Sequence, residues 1–245
     1  MSMLHTTSTL GPNIAINPAL NIQLVRVGIS QTPILVIDDY LQSTAELIHY
    51  ARFHGKFSPD NTSYYPGVRS KLPKEYVVAC LKPLMKRLYS VFAIPTQLRP
   101  NPIDNTFSLV TVESENLLPV QTLPHFDTCD PNLLAVVHYL NPLSHGGTGF
   151  FRHNRSAIER VNLGGEQEYL MDVQRLLNKS PHSQSQYCAT SHPAYTCIYQ
   201  VPYQQNRLLI YPGNLLHSAL INKTGDINTD PSTGRLTANM FIKFS

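Results

Sequence analysis

Residues 133–141 read LLAVVHYLN, an almost unbroken apolar run rich in β-branched side chains. A strand buried on both faces has this composition, because neither side needs a polar residue. The flanks support a sheet around it. Upstream, DNTFSLVTVES (104–114) alternates with a period of two, as a strand with one face inward does. Downstream, HGGTGFFRH (145–153) follows a Pro-containing turn. NRLLIYPGNLLHSALI (206–221) reads as two short strands about Pro212-Gly213, and GRLTANMFIKF (234–244) alternates again.

The first hundred residues read differently. PILVIDDYL (33–41) is an apolar strand that breaks at Asp38-Asp39. LQSTAELIHYARFHG (41–55) has helical spacing, with Leu41, Ala45, Ile48 and Arg52 near one face and Ser43 or Thr44 available as a cap. SPDNTSYYPGVRSKLP (58–73) is a loop by its Pro, Gly, Asn and Asp content. EYVVACLKPLMKRLYSVF (75–92) is a second helix, kinked or stepped at Pro83. Helices first and strands later give an α+β, mainly β, domain whose body is a β-sandwich or jelly roll. Residues 1–20 are polar and aperiodic and are expected as a flexible N-terminal arm, leaving 21–245 as a single domain. Residues 160–200 carry a helical piece and a Ser/Tyr/Gln-rich stretch between two strands. They are expected as a lid-like insertion, since long loops in compact domains tend to be functional.

Composition narrows the class. At 245 residues with 42% apolar and 14% charged residues, the chain has enough apolar surface for a core and too little charge for a disordered or coiled-coil protein. Nineteen prolines fit many short strands joined by turns. The net charge of +3 is spread without a Lys/Arg-rich run, so no nucleic-acid partner is expected. The cysteines Cys80, Cys129, Cys188 and Cys197 lack CxxC spacing and are expected as free thiols. Neither a secretory signal nor an apolar run of the ~20 residues that span a bilayer is visible, so a cytoplasmic protein without membrane contact is expected.

Three constellations carry chemistry. His125 and Asp127, in TLPHFDT, stand two apart and in a strand would point to the same side. An imidazole nitrogen and a carboxylate oxygen so placed need only one more His to make a 2-His-1-carboxylate set. His217, in LLIYPGNLLHSA, emerges just past a Pro-Gly turn. Arg235 and Thr237, in GRLTANMF, share a face of the last strand, and a guanidinium fork beside a hydroxyl suits a carboxylate. Each has a plain alternative: a surface loop, a core histidine, an exposed ion pair.

Their order changes the weighing. HxD, a distal His and then Arg-x-Thr resemble the Fe(II)/2-oxoglutarate oxygenase superfamily, in particular its prolyl-hydroxylase-like branch. VIDDYL (36–41), LLAVVHYLNP (133–142) followed by GGTGFF (146–151), and YPGNLLHSA (211–219) look similar to segments of that branch, and GTGFFRH (147–153) resembles a bacterial group within it. The resemblance covers most of residues 33–245. It implies a double-stranded β-helix, cupin-like, with the N-terminal helices packed on its outer face. It implies Fe(II) bound by His125, Asp127 and His217. The distal carboxylate of 2-oxoglutarate would be held by Arg235 and Thr237, with Tyr139 and Thr148 as further contacts. The implied activity is a dioxygenase consuming O2 and hydroxylating a C–H bond of an amino acid, peptide or small natural product, with release of succinate and CO2. One departure stands out: the anchor lies 235 − 217 = 18 residues past the distal His, where the branch often has about ten. Lys223 and Lys243 are therefore alternative anchors.

Rival readings remain. A cupin-type metal dioxygenase would not use 2-oxoglutarate and would recruit more histidines, from His138, His145 or His153. A non-catalytic binding module would keep the barrel without turnover. A hydrolase lacks support, since no GxSxG elbow is present. His138 and Tyr139 face opposite ways in their strand, so at most one lines a pocket; His138 is expected to be structural. Phe150, Phe151 and Arg152 are expected to pack the sheet, and Tyr211 to lie near the site. Cys129 is expected as a plain buried thiol. A small-molecule or peptidyl substrate is expected, read by residues 160–200 and by the loop 58–73 with Tyr64, Tyr65 and Arg69.

Overall fold

A computed structural model of the chain describes residues 11–60, 63–179 and 186–245. Its body is two antiparallel sheets, with strands numbered in chain order. The large sheet contains β1 (Asn21–Val27), β2 (Thr32–Asp38), β3 (Ser58–Pro59), β4 (Gly67–Lys71), β5 (Pro100–Val110), β6 (Leu133–Tyr139), β10 (Leu208–Pro212) and β12 (Thr237–Phe244). The small sheet contains β7 (Thr148–His153), β8 (Ser191–His192), β9 (Tyr195–Val201) and β11 (His217–Ala219). The spatial orders are β1-β2-β10-β6-β12-β5-β4-β3 and β11-β7-β9-β8.

The central strands of the large sheet are covered on both faces, which is why LLAVVHYLN carries almost no polar residue. On one side Leu134, Val136, Ile210, Met240 and Phe107 meet the N-terminal helices through Leu47, Tyr76, Leu84 and Leu88. On the other, Ala135, Leu209 and Tyr211 face Phe150, Val201 and Leu215 of the small sheet. Phe150 and Phe151 are fully buried, so they pack as expected.

The helices are α1 (Ala45–His54), α2 (Lys74–Leu81) and α3 (Met85–Val91). A 3-10 turn at Lys82–Leu84 separates α2 from α3, which is the step expected at Pro83. The fully buried residues of α1 are Leu47 and Ala51, with Ile48 partly buried against the same core, while Ala45 and Arg52, expected on that face, are exposed. Leu41 is fixed outside the helix by a bridge to Ile16, so the helical period starts later. The Thr44 hydroxyl accepts from Gln205 Nε2 at 2.9 Å and does not cap the helix.

His138 lies on the helix side, with Nδ1 at 2.9 Å from the Tyr76 hydroxyl and Nε2 at 3.1 Å from Asn206 Oδ1. An amide oxygen only accepts, so Nε2 carries the proton and Nδ1 accepts from the tyrosine. Burial lowers this imidazole to about 4, and it is a neutral structural residue.

Two expected segments are built differently. Of the expected arm, residues 1–10 lie outside the described residues, while Asn17 N–H donates to the Tyr40 carbonyl at 3.0 Å and ties that stretch to the body. The expected lid-like insertion supplies β9 to the small sheet and α4 (Glu166–Lys179) to its outer face. There Tyr169 joins Phe151, Tyr195 and Leu216. Polar residues on the exposed side of β9 hide its alternation. Residues 180–185 of that stretch lie outside the described residues. No helix among the described residues is long and apolar enough to cross a membrane. All four cysteines are free.

The large sheet's helix-side core sets stability. Phe107 is fully buried against Tyr50 and Phe57, so Phe107→Ala is expected to cost about 3–5 kcal/mol. Leu24→Ala, at an exposed edge position, is expected to stay within about 0.5 kcal/mol. Urea midpoints check both, and equal losses would contradict this placement of the core.

Candidate metal centre and its cavity

The two histidines meet because their backbones pair. His125 N–H donates to the His217 carbonyl at 2.9 Å, and His217 N–H donates back at 2.8 Å. The HxD segment is not a full strand; this single antiparallel bridge places it beside β11. Two residues on, Asp127 N–H donates to the Gly213 carbonyl at 2.7 Å, which fixes the carboxylate against the Pro212-Gly213 turn. Phe126 points the other way, edge-on to Tyr169 of α4, so α4 braces the segment from outside.

The side chains converge. Asp127 Oδ1 lies 4.0 Å from His125 Nε2, and its Oδ2 lies 3.7 Å from His217 Nε2. One ligand atom from each of the three fits within 4.8 Å of the others. His217 Nδ1 lies 2.8 Å from the Leu215 carbonyl, which can only accept, so Nδ1 holds the proton and Nε2 turns a lone pair toward Asp127. Tyr211 packs edge-on to the His217 ring at 4.7 Å between centroids and holds it there. Asp127 Oδ2 is buried and makes no hydrogen bond. A buried carboxylate oxygen without a donor is costly in a folded protein, and a cation between the three groups would satisfy it.

Electrostatics point the same way. Burial lowers His217 to about 4. Burial, then the neighbouring His217, lowers His125 to about 4, although that ring is 55% exposed to the cavity mouth. Burial raises Asp127 to about 6, against the opposing pull of His125 and Arg69. At neutral pH the set is therefore two neutral imidazoles and one ionised carboxylate, the protonation state a divalent cation requires. His138, His145 and His153 do not join this cluster; they are engaged by Tyr76, Asp226 and Ser156 respectively.

The triad opens into a cavity of about 530 Å³ between the two sheets. Arg235, Thr237 and Thr148 line it with the triad, so the structure brings these widely separated residues together. Arg235 is buried, and its Nε and Nη2 donate to the carbonyls of Gly146 and Gly147 at 2.7 and 3.2 Å. These two glycines are required by close approach: a Cβ on Gly146 would sit 1.5 Å from the Leu220 oxygen, and one on Gly147 2.1 Å from the Val201 oxygen. No carboxylate lies within ion-pair distance of Arg235 among the described residues. Lys223 and Lys243 are exposed and do not line the cavity.

Tyr139 does not line the cavity, contrary to the expected co-substrate contact. It is fully buried behind it, its hydroxyl 2.7 Å from Thr148 Oγ1 and its ring beneath Arg235 at 5.6 Å. It supports the two groups that do reach the cavity. Of residues 160–200, only Tyr187 lines the cavity among the described residues.

Two carboxylates were not foreseen in the sequence. Asp226, inside the stretch TGDINTD read as a turn, is fully buried; it accepts from Asn222 N–H at 2.7 Å and Gly146 N–H at 2.9 Å, and it lies 2.8 Å from His145 Nδ1. Burial alone would raise this carboxyl, but the bonds from His145 and the two amides, with the Arg235 charge, hold it below its ordinary value. The pair fixes the Gly146 backbone on which Arg235 rests, and nothing in a Gly/Asp turn signals this. Asp104, on β5, also lines the cavity without having been singled out; Arg69, expected in the substrate-reading loop 58–73, lines it from β4, a strand where a loop was expected.

The His217 assignment is testable. Its ring ¹⁵N signals in the metal-free protein are expected to stay those of a neutral Nδ1–H tautomer from about pH 8 down to about 5.5, because its folded value lies below the ordinary 6.5. A titration midpoint at or above about 6.5 would contradict this.

Comparison with known proteins gives a family and three distant structures. Residues 18–242 match the family of unknown function DUF6445. No curated protein matches the chain. HygX from Streptomyces hygroscopicus, solved with nickel and 2-oxoglutarate bound, is 14% identical, with 87% of this chain and 84% of that one covered and a TM-score of 0.46. SnoN, a non-heme alpha ketoglutarate dependent epimerase from nogalamycin biosynthesis, is 10% identical over 87% and 79%, with a TM-score of 0.44. AviO1 from Streptomyces viridochromogenes Tue57 is 12% identical over 82% and 80%, with a TM-score of 0.41. At these scores the likeness is coarse.

Proposed function

Since the chain belongs to DUF6445, a family of unknown function, we propose its activity from the cavity itself: an Fe(II)- and 2-oxoglutarate-dependent dioxygenase. The observation that carries this reading is the pairing, in one cavity, of a 2-His-1-carboxylate cluster with a buried arginine that makes no ion pair among the described residues. Three ligands on one side of a cation leave positions open for co-substrate and oxygen, the arrangement of non-haem Fe(II) oxygenases. The strand order supports a double-stranded β-helix, with β5-β12-β6-β10 facing the HxD segment, β11, β7 and β9. The prolyl-hydroxylase-like branch rests on the sequence motifs alone.

In this reading His125, Asp127 and His217 hold the iron. When bound with 2-oxoglutarate and O2, the iron supplies oxidising chemistry that places one oxygen atom into a substrate C–H bond and the other into succinate, with CO2 released. The chain's part is orientation and shielding. The Leu215 carbonyl keeps the proton on His217 Nδ1, and so keeps Nε2 free. Arg235 and Thr237 hold the distal carboxylate, and Thr148, positioned by Tyr139, adds a hydroxyl beside it. Tyr211 and the apolar floor at Ala135 and Val137 keep water from that end.

Anaerobic titration with Fe(II) and 2-oxoglutarate is expected to produce a weak visible charge-transfer band, absent in His125→Ala. Arg235→Met is expected to weaken 2-oxoglutarate about tenfold or more while leaving metal affinity unchanged. A folded wild-type protein with no band would favour the non-catalytic binding module. A band without dependence on Arg235 would move the anchor elsewhere.

A further inference from the structure

Arg69 stands across the cavity floor from Arg235. It lies opposite Ser108 of β5, which lies opposite Thr237 of β12. Opposed residues share a face, so Arg69, Ser108 and Thr237 form one row on the cavity side, and β4 and β12 are two strand spacings, ~10 Å, apart. The cavity thus has two guanidinium groups, only one of which the proposed co-substrate uses.

The Arg69 fork is divided by use. Nη1 donates to Asp60 at 2.9 Å and approaches Asp104 at 3.4 Å. Among the described residues, Nε is buried without a hydrogen-bond partner and Nη2 makes no hydrogen bond. The guanidinium carbon lies 4.6 Å from the centroid of the Tyr65 ring, a contact that orients it. The vacant Nε/Nη2 edge offers two parallel donors, the geometry that takes a carboxylate in bidentate fashion. Beside it Asp104, 42% exposed, also lines the cavity. Its carboxylate meets Arg69 Nη1 only at 3.4 Å and stands at the cavity wall, where it is complementary to an ammonium group.

We propose that the cavity takes a small zwitterionic substrate of the α-amino-acid type, its carboxylate on the Nε/Nη2 edge of Arg69 and its ammonium at Asp104. The oxidation of such a substrate rests on the function proposed above; its binding does not. Arg69, Asp104 and the triad line the same cavity, so a molecule held by the first two lies in the space onto which the triad opens.

The test is ligand-observed NMR on the full chain, metal-free and loaded with Mn(II) and 2-oxoglutarate. The probes are the common free amino acids, their methyl esters and their N-acetyl derivatives. At least one free amino acid is expected to bind at millimolar concentration, its ester to lose binding, and its N-acetyl form to bind more weakly. Arg69→Met is expected to reduce that affinity about tenfold or more, and Arg69→Lys less, with Mn(II) and 2-oxoglutarate affinities unchanged and circular dichroism confirming the fold. Esters binding as well as free acids, no binder in the panel, or an unaltered Arg69→Met affinity would each overturn the proposal. Loss of 2-oxoglutarate binding in Arg69→Met would overturn it too, by giving this cation to the co-substrate, while leaving the dioxygenase reading intact. Failure of the wild type to bind Mn(II) would instead sink the dioxygenase reading, and amino-acid binding to the metal-free protein would still decide this one.

Discussion

Two reciprocal backbone hydrogen bonds, between His125 and His217, are the constraint on which the site depends. They join segments 92 residues apart, 217 − 125, and put two imidazoles on the same side of the small sheet. An antiparallel bridge of this kind leaves little freedom in where the paired side chains start. The Gly213 carbonyl then holds Asp127 in place, so backbone, rather than side-chain packing, sets the triad. Phe126, between His125 and Asp127 in sequence, packs edge-on against Tyr169 of α4 and braces the segment.

The large sheet serves two purposes with one alternation. Its outer residues, such as Leu134, Met240 and Phe107, are the core under the helices. Its inner residues change along the row from apolar Val137 to Asn239, Thr237 and Arg69, which gives the cavity a floor with a dry and a charged part. Arg235 is buried without an ion pair among the described residues, its Nε and Nη2 resting on the carbonyls of Gly146 and Gly147. Carbonyl contacts orient a guanidinium without neutralising its charge, and this keeps the cavity attractive to an anion.

Much of this was legible in the sequence, and the limits were physical. LLAVVHYLN announced a strand covered on both sides because no polar residue interrupts it. The step at Pro83 followed from the missing N–H. His125, Asp127, His217, Arg235 and Thr237 were identifiable because each belongs to a short motif beside a strand, and the structure gathers them into one cavity. Tyr139 was harder: period two gives its side of the sheet but not its depth, and it proves to lie behind Arg235. Asp226 was invisible, since a carboxylate in a turn is ordinarily solvated and only the return of residues 145–147 buries it. β9 was missed for a related reason, its exposed face being dressed in Thr, Tyr and Gln.

The central claim is that three distant side chains hold one cation opposite an arginine that awaits a carboxylate. Anomalous diffraction from crystals grown with Mn(II) and 2-oxoglutarate tests it most directly. The expected map has one strong metal peak in bonding contact with His125, Asp127 and His217, and density for a dicarboxylate running from it to Arg235. A metal peak elsewhere with the triad vacant, or a dicarboxylate bound away from both, would contradict the account.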